Sequence, residues 1–462
     1  MSLTSRMRHR RLAKLTAGPA VALLLAALTG CGSSGTSTGS PGTARASDTV
    51  LAGKSCDSSK ATKLTFWAWV PGMNRAVEEF NKTHPTICVT LENPGAGVDE
   101  YVILNNTMKA GSGAPDVAEV EFAELPSFEV LHYLVDLSKY GLGSERSKFV
   151  PWAWQQVTQG SAIYAMPSDF GPAAFYYNAP LLAKHHITPP ATWPDFANAA
   201  LKLHKADPSA TLINFAPDDL QWLLDMMAQA NASPFGYTGG DSLSINWIGP
   251  AQLRFAGYWQ NLINAHAVTT INTANTRIPT NLDKGVIAAA IDSAWAPSYF
   301  APNAKKTLGD WRAAPLPQWT PGARVEMDWG GSTYPVFAQS KHPAEAAQFV
   351  RWLTATDAAW NIVKTPPSSL FPAYVPLLDS EEFKNITYPV SGSSHPNQVF
   401  AAAADHLAPI QWPPFMPAAL SQALTTFGSV VNGKQTLAQA FQTFQDQMVK
   451  YARAQGFKVT TS

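Results

Sequence analysis

Charge is scarce in this chain. Aspartate, glutamate, lysine and arginine make up 14% of its 462 residues, where about 25% is usual for soluble proteins. Lysine plus arginine equals aspartate plus glutamate at 33 each, so no basic footprint for nucleic acid is present. Cysteine is rarer still. Three residues, no CxxC and scattered histidines argue against a structural zinc site, and neighbours such as His185-His186 point apart in regular structure. HExxH does not occur, and the one GxSxG, Gly35-Thr36-Ser37-Thr38-Gly39, falls in a Gly/Ser/Thr-rich run rather than between a strand and a helix, so neither hydrolase frame is present. No repeat of about 20–50 residues marks a solenoid or propeller. Aromatic residues are plentiful instead, with 15 tryptophans, and apolar residues reach 46%. That is enough for a packed core, and the length favours two or three lobes.

The even charge balance hides an asymmetry. Arg6, Arg8, Arg10, Arg11 and Lys14 precede any acidic residue, and residues 15–28 carry no charge at all. Such a run is too short to span a bilayer, which takes about 20 residues, but it suits a secretory h-region. It ends in Leu28-Thr29-Gly30-Cys31, which resembles the lipobox of bacterial lipoproteins. The expectation is a signal peptide over 1–30, a lipid on Cys31, and a tether over 31–56 whose Gly, Ser and Thr content makes it flexible. The protein is then held outside the cytoplasm by an anchor rather than a membrane span. Export leaves Cys56 and Cys88 in an oxidising compartment, where a bridge between them persists. It would stabilise by roughly 3 kcal/mol in the chain-entropy model; two buried thiols are the alternative.

From residue 63 strands and helices alternate. The run LTFWA reads as a strand, Met73, Ala76, Val77 and Phe80 recur at helical spacing, and His84-Pro85 stops the helix. A strand over 86–91, a helix ending at Gly111 and a strand over 117–122 follow. Helix-length connections predict a parallel sheet, with ligands beyond the carboxyl ends of its strands. Those ends hold Trp67, Trp69, Glu119 and Glu121 rather than glycines, which disfavours a dinucleotide cradle. Further strands are expected at 162–167, 174–178 and 286–292, with helices near 193–204, 217–230 and 343–353. A last helix over 436–452 opens on Thr436 and Gln439, a capping-box pair.

Several segments share the register of one known group: LTFWAWVPG, AVEEFNKTHP, AGSGAPDVAEVEF, AMPSDFGPAAFYYN, Ala191-Thr192-Trp193-Pro194-Asp195-Phe196, Trp329-Gly330-Gly331-Ser332 and the helix beginning at Pro343. Over about residues 60–455 the chain resembles the extracellular solute-binding proteins of ABC importers, in particular the maltose-binding-protein-like sugar-binding family 1. The resemblance implies an α/β fold of the type II periplasmic-binding-protein class. Each of its two lobes is a mixed, mostly parallel sheet flanked by helices. Lobe one would hold 57–168 plus 337–388, and lobe two 169–336 plus 389–462. Hinges would lie near Pro167-Ser168, over 329–335 and near Pro389. It also implies a monomer with no cofactor, no catalysis, a small carbohydrate ligand and membrane permease subunits as partners.

A sugar presents C–H faces that stack on aromatic rings and hydroxyls that need fixed donors and acceptors. A carboxylate accepts charge-assisted bonds from two of them. Trp67 and Trp69, two apart, are expected on one face at a strand end; Trp69 is the better candidate for a cleft, and core is the structural reading of both. Glu119 and Glu121 share a face likewise, Glu121 as a ligand acceptor. Asp169-Phe170 falls at the first hinge, where a turn-capping aspartate is the alternative. Asp218 and Asp219 precede a helix, with Asp218 expected as its N-cap, and both fall where the resemblance turns the second lobe to the cleft. Trp295 matches a stacking position and is the strongest aromatic candidate. Trp329 is next, and Gly330-Gly331 would let backbone N–H groups approach a ligand. Trp412 and Phe415, flanking Pro413-Pro414, match a late aromatic platform. A polyol phosphate ligand would instead require Arg75, Arg254 and Arg277 to converge. A secreted glycosidase would use a pair of these acids.

Overall fold

The computed structural model describes residues 60–272, 277–365 and 370–461; the expected signal peptide, Cys31, the tether and Cys56 lie outside them. The chain opens on β1 (Thr62–Trp67), α1 (Met73–Thr83), β2 (Ile87–Glu92), α2 (Val98–Ala110) and β3 (Val117–Ala118). The sheet is parallel in the order β2-β1-β3, as the connection lengths require. α1 buries Met73, Ala76, Val77 and Phe80, a stripe at three- and four-residue spacing. Gly111 ends α2 with φ of 73°, the left-handed cap that glycine supplies without strain.

The expected third strand divides. β3 stays beside β1, while β4 (Val120–Glu121) joins a second sheet with Ser332–Tyr334 and Met166–Pro167. Glu119 lies between the two. Its N–H donates to the Trp67 carbonyl at 2.8 Å. Its fully buried carboxylate accepts from the Trp69 and Val70 N–H groups at 3.0 and 3.2 Å and from Ser332 Oγ at 2.9 Å. Three donors offset a desolvation that would otherwise be very unfavourable. Val117 bridges Val336 in the same antiparallel register as the Glu121–Ser332 pair, so residues 117–121 run on beside 332–336 while β3 also pairs with β1.

Around Ala173–Asn178 the sheet is antiparallel, with Ala289–Ser293 on one side and Trp311–Ala314 on the other. This departs from the mostly parallel sheet expected there. The three strands come from distant segments, not consecutive crossovers, and parallel character survives in the isolated Thr211–Ile287 and Asn214–Thr269 bridges. Helix Trp193–Ala206 is capped by Thr192, and helix Leu437–Ala454 by the reciprocal Thr436–Gln439 box. No described helix is long and apolar enough to cross a membrane.

Two of the expected hinge segments pair directly, Met166–Pro167 with Thr333–Tyr334. The third neighbour differs. Ala373 donates to the Ser168 carbonyl at 2.8 Å and Phe170 to that of Phe371 at 3.1 Å, so residues 371–373 run beside the first hinge. Pro389 instead opens a 3₁₀ turn, Pro389–Ser391, whose Val390 is buried in one cluster with Tyr176 and Trp311.

Candidate functional site

The short strand Ala289–Ser293 carries one acid, Asp292, in an otherwise small or apolar run, and the chain turns at Trp295 into helix Ala296–Asn303. Opposite, Asp219 opens helix Leu220–Gln229. These elements enclose a cavity of about 290 Å³ lined by Asp219, Trp222, Asp292, Trp295, Tyr299, Phe300 and Trp329, with aliphatic residues behind them. Among the described residues lining it there is no lysine, arginine or histidine.

Glycine positions the central ring. The Trp295 and Trp329 indoles lie 5.1 Å apart between centroids at 53°. A Cβ on Gly330, where φ is 86°, would stand 2.7 Å from Cη2 of Trp295, and one on Gly171 would stand 2.7 Å from its Cζ3. Gly171 is barred from a side chain by backbone too, since its Cβ would meet the Trp329 carbonyl at 2.1 Å. The space that the missing side chain leaves at Gly330 is taken by the Trp295 ring, and its positive φ is one that glycine adopts freely.

Asp219, not Asp218, caps the helix, because the helix begins one residue later than the expected Asp218 cap needs. Its Oδ1 accepts from the Trp222 N–H at 3.0 Å, leaving the carboxylate at the cavity wall. Asp218 is buried, accepts from Asn272 and does not line the cavity. Trp222 spends its indole N–H on the Ile291 carbonyl at 3.1 Å, which leaves its ring as wall.

On the first sheet, Glu121 accepts from the Tyr101 hydroxyl at 3.1 Å, and its own N–H donates back to that oxygen. Trp69 is half-buried, edge-on to Tyr101 at 6.1 Å. It lies beyond the end of β1, so strand alternation does not tie it to Trp67. Trp67 itself is core, with its indole N–H on Glu92 Oε2 at 2.9 Å. Phe170 is core as well, packed on Phe371 at 5.5 Å. Asp169 is half-buried at the hinge, and its Oδ1 meets no donor. The expected Trp412–Phe415 platform is split. Phe415 packs on Tyr451 and Phe457 and lines a groove against α2, while Trp412 lines another cavity with Tyr237 and Ile410. Neither lines the Trp295 cavity, because the chain between them turns one ring to each side.

Acids face one another across this region. Burial pushes Asp219 up to about 6, with Asp218 repelling it further. Burial pushes Asp292 to about 7, with Asp219 adding repulsion against the bond from the Ser293 N–H. Glu121 rises to about 7 by burial, and Asp219 of the opposite wall contributes. Asp169 reaches about 7 and Glu119 about 8, burial leading in both. The three arginines do not converge here. Arg75 donates to the carbonyls of Ile362 and Thr365, Arg254 is exposed on helix Pro250–Asn264, and none of the three lines the cavity. Asp292, Trp222, Tyr299 and Tyr101 are site residues that the sequence reading passed over. A lone acid inside an apolar strand was the available signal for Asp292.

Comparison with known proteins agrees with this architecture. The profile of the family described as bacterial extracellular solute-binding protein matches residues 69–360. An arabinooligosaccharide-binding protein of Bacillus subtilis (strain 168) is 24% identical over 345 residues, covering 69% of this chain and 77% of that protein. An ABC-transporter-associated binding protein from B. animalis subsp. lactis Bl-04, solved with β-1,6-galactobiose, is 27% identical. It superposes with a TM-score of 0.75 over 87% of this chain and all of its own. The galacto-N-biose-/lacto-N-biose I-binding protein of Bifidobacterium longum, 24% identical, gives a TM-score of 0.76 over the same shares. With its parallel first sheet, antiparallel second sheet and paired crossing strands, this chain belongs to the bacterial extracellular solute-binding proteins and has their type II, two-lobed fold.

Proposed function

We propose that this protein binds a di- or oligosaccharide between its lobes and delivers it to the permease subunits of an ABC importer. It turns nothing over and uses no cofactor. The observation that carries this reading is the Trp295 ring, seated on Gly171 and Gly330 beside Trp329, in a cavity whose ionisable groups are Asp219, Asp292 and the Tyr299 phenol. Rings offer faces to sugar C–H groups and carboxylates accept sugar hydroxyls. Glu121 and Trp69, held through Tyr101, supply the same pair of chemistries from the first sheet. The names of the relatives point the same way, arabinooligosaccharide in one and a galactobiose complex in another.

The same reading places the lobes at 57–168 plus 337–388 and 169–336 plus 389–462, with a third crossing nearer 371–373 than Pro389. It makes the protein a monomeric lipoprotein, exported by residues 1–30 and anchored through Cys31 to the outer face of the cell membrane. A Cys56–Cys88 bridge would close the first strand and helix; Cys88 being disulfide-bonded supports it.

Isothermal calorimetry against neutral mono- to tetrasaccharides tests the ligand class, with a turnover assay run in parallel. Saccharide binding without turnover is the expected result. Hydrolysis would favour the glycosidase. Binding of glycerophosphodiesters in place of sugars would overturn the reading, although among the described residues no arginine or lysine lines the cavity to hold a phosphate.

A further inference from the structure

One end of the antiparallel sheet gathers lysines. Its strands leave Ala173 and Ser293 at the end that leads to Gly171 and Trp295, and Asn178, Ala289 and Trp311 at the other. At that other end the chain runs from Asn178 into helix Ala179–Lys184, approaches Ala289 from helix Arg277–Asp283, and approaches Trp311 from the 3₁₀ turn Lys305–Thr307. The Ala179 N–H donates to the Asp310 carbonyl at 2.9 Å, and the Lys306 N–H to Asp283 Oδ1 at 2.6 Å. Helix Trp193–Ala206 ends beside them, because the segment after it bridges Thr211 to Ile287 and Lys202 Nζ donates to the His186 carbonyl at 2.6 Å. Lys184, Lys202, Lys205, Lys284, Lys305 and Lys306 are brought to one end in this way, and all six are exposed.

These charges are not spent within the protein. Among the described residues none of the six lysines stands in an ion pair, whereas Lys82, Lys139, Lys148, Lys364, Lys384 and Lys458 elsewhere all do. The acids at this end are Asp207, Asp283 and Asp310. Asp207 accepts from the Ser209 hydroxyl and N–H, and Asp283 from the Lys306 N–H. Exposed apolar side chains stand among the lysines. Leu201 is 45% exposed and four residues from Lys205, so the two share a face of their helix. Leu308, 46% exposed, follows the turn that carries Lys305 and Lys306. Lysine beside exposed leucine suits the boundary between lipid headgroups and acyl chains, where the leucine enters the apolar layer and the ammonium stays with phosphate.

We propose that this end of the molecule docks on an anionic lipid surface, with the six lysines on phosphate headgroups and Leu201 and Leu308 entering the apolar boundary. Beyond residue 30 the chain holds fewer lysines and arginines than acids. The molecule as a whole is therefore repelled by such a surface, and a local basic end sets how it lies there. Trp295 follows the opposite end of the same sheet, so docking does not use the stacking ring, and the inference stands apart from the saccharide reading. A soluble polyanion would meet the lysines but give the two leucines nothing to enter.

The test is flotation with vesicles of residues 32–462, which lack the lipobox cysteine and contain every described residue. Melting curves confirm that each variant is folded. Wild type should float with phosphatidylcholine–phosphatidylglycerol vesicles at low salt and not with pure phosphatidylcholine, and moderate salt should weaken it. A lysine near an anionic membrane contributes about fivefold in affinity, so the triple variant Lys284→Glu, Lys305→Glu, Lys306→Glu should lose about a hundredfold or more. Lys63→Glu, Lys341→Glu, Lys434→Glu makes the same change in net charge at exposed positions elsewhere, and should stay within about fivefold of wild type. Leu201→Ser with Leu308→Ser should lose about tenfold. Failure of wild type to float with the anionic vesicles, equal losses in the two triple variants, or wild-type binding by the leucine variant would each overturn the proposal. Retention on heparin without vesicle binding would overturn it in favour of a soluble polyanion.

Discussion

Replacing Gly330 by alanine tests how the site is built, because its effect on affinity should act through another residue. The added Cβ would lie 2.7 and 2.9 Å from Cη2 and Cζ3 of Trp295. Restoring an ordinary carbon contact of about 3.5 Å requires the ring to retreat by about 0.8 Å. The side-chain space at Gly171 is already bounded by the ring itself, the Trp329 carbonyl and Ser293 Cβ, so the ring is expected to move into the cavity it lines. The positive φ adds a separate loss of stability of about 1–2 kcal/mol for a residue with a Cβ. Affinity for the tightest saccharide should fall about tenfold, or roughly 1.4 kcal/mol. Trp295→Ala should lose about tenfold to a hundredfold. In the Trp295→Ala background, Gly330→Ala should then change affinity little, since the ring it displaces is gone. Calorimetry on the four proteins of this cycle gives the answer. Wild-type affinity in Gly330→Ala, or simple additivity of the two losses, would refute the account of Gly330 as the seat of the Trp295 ring.

Other expectations follow from the acids and cysteines. Glu119, Glu121, Asp169 and Asp292 are raised to between about 7 and about 8 in the folded chain, so the native state binds more protons than the unfolded one above pH 4.5. Their contribution to stability is complete below about pH 4 and is lost progressively as pH rises to about 8; the melting temperature should therefore fall over that window, and a rise would contradict the burial described. Saccharide hydroxyls donating to Asp219 and Asp292 favour the charged carboxylates, so binding should release protons and tighten from pH 6 to 8, measurable by calorimetry in buffers of different ionisation heat. Cys31→Ala should shift the protein from the membrane fraction to the medium, and a wild-type chain without lipid mass on Cys31 would disprove the anchor. Thiol titration of denatured, unreduced mature protein should find neither Cys56 nor Cys88 free.

Local sequence carried those parts of the fold whose cause is local. The stripe of Met73, Ala76, Val77 and Phe80, the Gly111 cap and the Thr436–Gln439 box each act within a few residues, and each forms as its pattern predicts. The partners of residues 117–121 were not readable in this way. Val-Ala-Glu-Val-Glu-Phe has the pattern of one strand, but its pairing with residues 332–336, more than two hundred residues away, and the bonds that Glu119 accepts from Ser332 and from the Trp69 and Val70 N–H groups are long-range. The neighbour of the segment at Pro167-Ser168 was hidden for the same reason. A proline such as Pro389 signals a turn, but the pairing of 371–373 with 168–170 is long-range.

For the site, sequence named the chemistry better than the neighbours. Trp295, Trp329 and Asp219 were each marked by type and position, and the fold brings all three to one cavity. Trp412 and Phe415 had the same marks, yet two prolines between them turn the rings into different cavities, a choice that no periodicity reports. The pair Gly330-Gly331 signals a close approach without saying of what, and the side-chain space at Gly330 is filled by the indole of Trp295, just beyond the strand Ala289–Ser293. A glycine beside a binding aromatic thus bears on affinity through the ring that it admits, and its substitution is to be judged by where that ring can go.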